Sequence, residues 1–140
     1  MNRLIARQSP LVLALTGILF AGFVLFAPGL PATPATRIIP VKMGDYRFKP
    51  DTIRVQTGET VQLELTNTDS LTPHNFTLKA EAAGLNVDTD VSAGKTEVVD
   101  ITPRAPGSYK FYCNKKLIFM KSHRDRGMEG TLVVAPAGSE

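Results

Sequence analysis

The chain holds one cysteine, Cys113, and two histidines, His74 and His123. Nine residues separate Cys113 from His123, and Met128 follows after four more, so a thiolate, an imidazole and a thioether share one short stretch. Soft sulfur favours Cu(I), imidazole serves both oxidation states, and a long thioether bond tunes the potential, so the mixture suits one copper ion cycling between Cu(I) and Cu(II). A trigonal site needs a second imidazole. His74, in Pro73-His74-Asn75-Phe76, is the other histidine of the chain. His74, Cys113, His123 and Met128 are therefore the expected metal ligands, and no residue is assigned to catalysis.

Each of these residues also has an ordinary structural reading. A lone buried Cys is usually a small hydrophobe, and it is the His and Met behind it that turn Cys113 into a ligand candidate. Met120 is a rival sulfur, but it closes the apolar run Leu117-Ile118-Phe119-Met120 and reads as packing. With one cysteine no internal disulfide can form, so core packing or a metal must hold the fold.

Short strands must position these groups. The segments 37–48, 52–56, 60–67 and 75–79 are rich in Val, Ile, Thr, Phe and Leu, as are 95–101, 108–112 and 130–134. In Val61-Gln62-Leu63-Glu64-Leu65-Thr66 apolar and polar residues alternate, which turns Val61, Leu63 and Leu65 to one buried face. Thr57-Gly58-Glu59, Pro103, Pro106 and Gly107 mark turns or edges. One short helical turn is expected over 81–86 and no long helix. The pattern predicts an all-β fold, an antiparallel Greek-key β-sandwich over residues 37–140.

Ahead of it, Arg3 and Arg7 precede a 17-residue uncharged run from Leu11 to Ala27. Basic flank, apolar run and small residues make residues 1–27 an export segment, either a cleaved signal or an N-terminal membrane anchor. Residues 28–36 read as a Pro/Ala-rich linker. The domain is thus expected outside the cytoplasm, in the periplasm, soluble or tethered. Without Arg3 and Arg7 the formal charge falls from +3 to +1. What stays uneven is placement: Lys110, Lys115, Lys116, Lys121, Arg124 and Arg126 lie within seventeen positions, against Asp125 alone. This basic group reads as a solvated face or as a docking face for an acidic partner. It lacks interleaved stacking aromatics, which argues against nucleic acid.

At the ligand residues the sequence resembles the cupredoxin family, the fold of plastocyanin and azurin. Tyr46-Arg47-Phe48-Lys49-Pro50 with Ile53, Val55 and Gly58 is similar to the family's opening strands. Pro73-His74-Asn75-Phe76 resembles its first ligand loop, and Phe111-Tyr112-Cys113 with Gly127-Met128-Glu129-Gly130 its last. The resemblance implies a type 1 blue copper site with His74, Cys113 and His123 equatorial and Met128 axial. It implies that Asn75 ties the two ligand loops together near the sulfur. The spacing from Cys113 to His123 is longer than in plastocyanin-like carriers and closer to that of copper nitrite reductases.

The expected function is one-electron transport with a redox partner protein, by a protein expected to be monomeric. The alternative is extracytoplasmic copper sequestration, delivery or tolerance. Histidine arithmetic argues against an enzyme, because a catalytic copper would need further His ligands and both are already assigned. A dinuclear centre would need two thiolates, and only Cys113 exists.

Overall fold

The computed structural model describes residues 36–116 and 118–139. The expected export segment and nearly all of the linker lie outside the described residues. Among the described residues no helix is long and apolar enough to cross a membrane.

Nine strands form two sheets among these residues: β1 (Arg37–Gly44), β2 (Arg47–Lys49), β3 (Thr52–Gln56), β4 (Val61–Asn67), β5 (His74–Ala80), β6 (Leu85–Val91), β7 (Thr96–Ile101), β8 (Gly107–Tyr112) and β9 (Glu129–Ala135). One sheet runs β2-β1-β4-β7 and the other β3-β9-β8-β5-β6. The sandwich matches the sequence reading, with differences in detail. Each sheet contains one parallel pair, β1 with β4 and β3 with β9. Alternation tells which face of a strand is buried and is silent on the direction of its neighbour.

The second difference is β6. Its sequence, Leu85-Asn86-Val87-Asp88-Thr89-Asp90-Val91, has strand alternation, and it pairs with β5 along its whole length. The helical turn expected over 81–86 is shorter, Glu81–Ala83, and stops at Gly84, whose φ of 72° suits glycine. The expected strand over 37–48 is likewise split, by a two-residue turn at Asp45-Tyr46 with φ of 51° and 57°. Two left-handed residues fit the right-handed twist of a hairpin. The conformation is costly for a tyrosine.

β4 turns Val61, Leu63 and Leu65 into the core as its alternation demands. Opposite lie Phe76 and Leu78 of β5, Phe111 of β8 and Leu132 of β9, all fully buried. The rings of Phe76 and Phe111 stack at 4.9 Å between centroids, and Phe48 meets both edge-on at 5.7 and 5.1 Å. Phe111 packs on Gly130 of the neighbouring strand, where a Cβ would run into the ring and the Asp51 carbonyl. Gly130→Ala should therefore destabilise the metal-free protein by about 1–3 kcal/mol, the usual cost of overpacking. Urea unfolding measures it, and an unchanged midpoint would show that the ring has room to move.

Candidate metal centre

The two sequence-predicted ligand loops meet at one end of the second sheet. His74 opens β5 and Cys113 follows β8, and β5 and β8 are directly paired. The Asn75 N–H donates to Cys113 Sγ at 3.3 Å, while Asn75 Oδ1 accepts the Asn114 N–H at 3.4 Å. Asn75 thus ties the loops as expected. Its own amide is held by the carboxylates of Asp88 and Asp90 on β6, at 2.8 and 3.1 Å.

The long spacing to His123 is absorbed by a closed loop. The His123 N–H donates to the Lys115 carbonyl at 2.9 Å, so the residues between them leave and return at one point. Behind His123 the chain makes one tight turn, Arg124–Arg126, ending at Gly127 with φ of 96°. The Met128 N–H then donates to the His123 carbonyl, and the Met128 carbonyl accepts the Cys113 N–H, each at 3.0 Å. These bonds lock the backbone of Met128 between the two neighbouring ligand candidates. Its side chain is fully buried in the core, whereas Met120 is 43% exposed.

Nδ1 of His74 lies 3.2 Å from Nδ1 of His123, which is 3.4 Å from Cys113 Sγ. The three donor atoms all lie within 4.8 Å of one another, and all three residues are buried. Burial pushes the Cys113 thiol up, partly opposed by backbone N–H bonds to its sulfur and by Lys115. His123 is pushed down, first by burial and then by neighbouring His74 and Arg126. The metal-free site therefore favours a neutral thiol and a neutral imidazole with a free lone pair, and binding a metal releases the thiol proton. One sulfur and two imidazole nitrogens, with no carboxylate or hydroxyl oxygen among them, fit copper.

Two contributors at the site escape sequence reasoning. Asp69 Oδ2 lies 2.8 Å from His74 Nε2, within hydrogen-bond distance, and nothing in the turn-like run Asn67-Thr68-Asp69-Ser70 signals that partner. Tyr46 packs edge-on against His123 at 4.9 Å and His74 at 6.2 Å, with the Arg126 guanidinium over its ring at 4.5 Å. The sequence places Tyr46 in a strand, where it would have had no such role.

Around the mouth, Leu71, Lys115 and Lys116 border His123 on one side, and Met120, Lys121 and Arg126 on the other. Of the apolar insert, Ile118 and Phe119 are 81% and 103% exposed, so this part of the run is surface rather than core. Leu117 lies outside the described residues. Several members of the basic group are paired: Lys115 with Asp90 at 2.7 Å, Arg124 with Glu129 at 3.4 Å.

Comparison with known proteins gives a consistent result. A cupredoxin-like domain family matches residues 15–134. A plastocyanin from Dryopteris crassirhizoma is 30% identical over 105 residues, 66% of this chain and 92% of that protein. The reduced auracyanin of Roseiflexus castenholzii superposes with a TM-score of 0.58 at 23% identity, covering 74% of this chain and 100% of its own. A copper nitrite reductase from Nitrosomonas europaea reaches a TM-score of 0.58 at 23% identity, covering 74% of this chain and 43% of its own. The structural likenesses speak for the fold; the family match and the plastocyanin, together with the donor set, go further. The chain belongs to the cupredoxin family, with one copper ion as its cofactor.

Proposed function

We propose that the protein is an exported one-electron carrier whose copper would be held by His74, Cys113, His123 and Met128. The observation that carries this reading is the buried group of one sulfur and two imidazole nitrogens, all within 4.8 Å of one another. Copper supplies the Cu(I)/Cu(II) couple when bound. The chain supplies rigidity: β5 and β8 fix His74 and Cys113, the His123–Lys115 bond closes the insert, and the Asn75 N–H caps the sulfur. Donors already held in place have little to rearrange when the charge at the site changes.

The same reading assigns residues 1–27 to export, as signal or anchor, residues 28–36 to the linker, and residues 37–140 to a domain acting in the periplasm. It assigns no catalytic role, because both histidines serve the one centre. The partner is a redox protein with an acidic docking face. Leu71 stands exposed at the mouth beside Lys115 and Lys116, and Ile118 and Phe119 are exposed just ahead of Met120 and Lys121, which border it with Arg126. An apolar centre with a charged rim suits a transient interface.

The test is cyclic voltammetry of the copper-loaded protein, followed by its oxidation by ferricyanide. A reversible one-electron wave is expected. Ferricyanide, an anion, should oxidise Lys116→Glu/Lys121→Glu about tenfold more slowly than the parent at low ionic strength, and the difference should fade in salt. Tight copper binding without a reversible wave would replace electron transport by copper sequestration or delivery. Equal rates at low salt would remove the basic docking face.

A further inference from the structure

We propose that Asp69 is a positioning residue that selects the tautomer of His74 and, through its charge, lowers the reduction potential of the centre; the second part rests on the ligand assignment above. His74 is fully buried, and its Nε2 bonds to Asp69 Oδ2 at 2.8 Å. A carboxylate accepts and does not donate, so the Nε2 of His74 carries the proton. Its Nδ1 is thereby left as a bare lone pair, and that is the atom facing His123 and Cys113. A histidine of the opposite tautomer would point an N–H at the place where a donor is needed.

The carboxylate is itself held in place. Its other oxygen, Oδ1, accepts the Asp45 N–H at 3.1 Å. The Asp69 N–H donates to Asn67 Oδ1 at 3.0 Å, and the amide of buried Asn67 is anchored on the carbonyls of Thr72 and Val91 at 2.9 and 3.0 Å. Gly44 leaves the space: a Cβ there would press on Thr68 Oγ1 and come within 2.9 Å of Asp69 Oδ1. One side chain thus links the β1–β2 turn, which carries Tyr46 onto His123, to the ring of His74. An anionic acceptor on a ligating imidazole raises its basicity. That favours the oxidised ion, which carries the larger positive charge, and so lowers the potential.

Asp69→Asn and Asp69→Ala separate hydrogen bond from charge. Asparagine keeps one acceptor oxygen. The buried His74 N–H has no other partner among the described residues and claims that oxygen, leaving the Asp45 amide at an exposed turn to water. In the metal-free, 15N-labelled full chain, long-range 1H–15N spectra should show His74 as the Nε2–H tautomer in the parent and in Asp69→Asn. Asp69→Ala should show a mixture. After loading with Cu(II), both variants should have a higher potential than the parent, and Asp69→Ala should bind Cu(II) about 10- to 100-fold more weakly. A parent His74 protonated at Nδ1, or an unchanged tautomer in Asp69→Ala, overturns the positioning role. An Asp69→Asn potential equal to that of the parent overturns the charge effect. If His74 is not a copper ligand, His74→Ala will bind Cu(II) as the parent does; that result sinks the ligand assignment, while the tautomer spectra still judge Asp69 alone.

Discussion

Cys113→Ser, loaded with Cu(II), should lack the intense visible absorption expected of the parent protein. That band requires electron density moving from sulfur to copper, and no other cysteine exists in the chain to replace the donor. Serine is close in size, and its hydroxyl oxygen can still accept the Asn75 N–H that now reaches Cys113 Sγ at 3.3 Å. The fold should therefore survive and isolate the chemical change. Weaker Cu(II) binding by the two imidazoles should remain, because His74 and His123 are brought together by β5 and by the His123–Lys115 backbone bond, independently of the sulfur. A titration followed by visible and electron paramagnetic resonance spectra decides the matter. A band that persists in Cys113→Ser would exclude Cys113 as the ligand and with it the proposed centre.

The second large effect is expected in the core beneath the site. Phe111→Ala should cost about 3–5 kcal/mol of stability, a large share of the roughly 5–15 kcal/mol available to a domain of this kind. The ring is fully buried, stacks on Phe76 and meets Phe48 edge-on. It also fills the space that Gly130 leaves open on β9. Removing it leaves a cavity two residues before Cys113, on the strand that delivers the thiolate. Urea unfolding of the metal-free protein should show the loss in full. Copper should restore part of it, because a ligand that binds only the folded state adds stability in proportion to the logarithm of its concentration over Kd. A loss under about 1 kcal/mol would mean that Phe48 and Phe76 collapse into the gap.

Both predictions join a residue legible in the sequence to surroundings that were not. Cys113 and the two histidines are recognisable from residue type alone, since few sites use one sulfur with two imidazoles. The buried face of β4 follows from the period-two alternation of Val61, Leu63 and Leu65, and Phe111 stands in the segment 108–112, which reads as a strand. The split of the expected strand over 37–48 was hidden, because the left-handed pair at Asp45-Tyr46 lacks the glycine that would have announced it. β6 alternates clearly, yet the helical reading of 81–86 runs across its start at Leu85.

The insert between Cys113 and His123 illustrates the boundary between the two kinds of information. Its length is plain in the sequence, but the path that brings His123 back to the sulfur is not. A single backbone bond to Lys115 supplies the closure, and backbone bonds leave no trace in side-chain identity. Asp69 is a similar case. Only the folded chain shows that it serves His74 five positions later and the Asp45 amide twenty-four positions earlier.

The sequence by itself determined the donor inventory, the single centre it allows, and the inward face of β4, because these depend on residue type and on a local repeat of two. The tertiary structure alone decided the parallel pairings of β1 with β4 and β3 with β9, the anchoring of His74 by Asp69, the seat of Tyr46 against His123, and the exposure of Ile118 and Phe119. Those features arise where segments distant in the chain compete for the same space and the same hydrogen-bond partners, and local pattern carries no record of which segment wins.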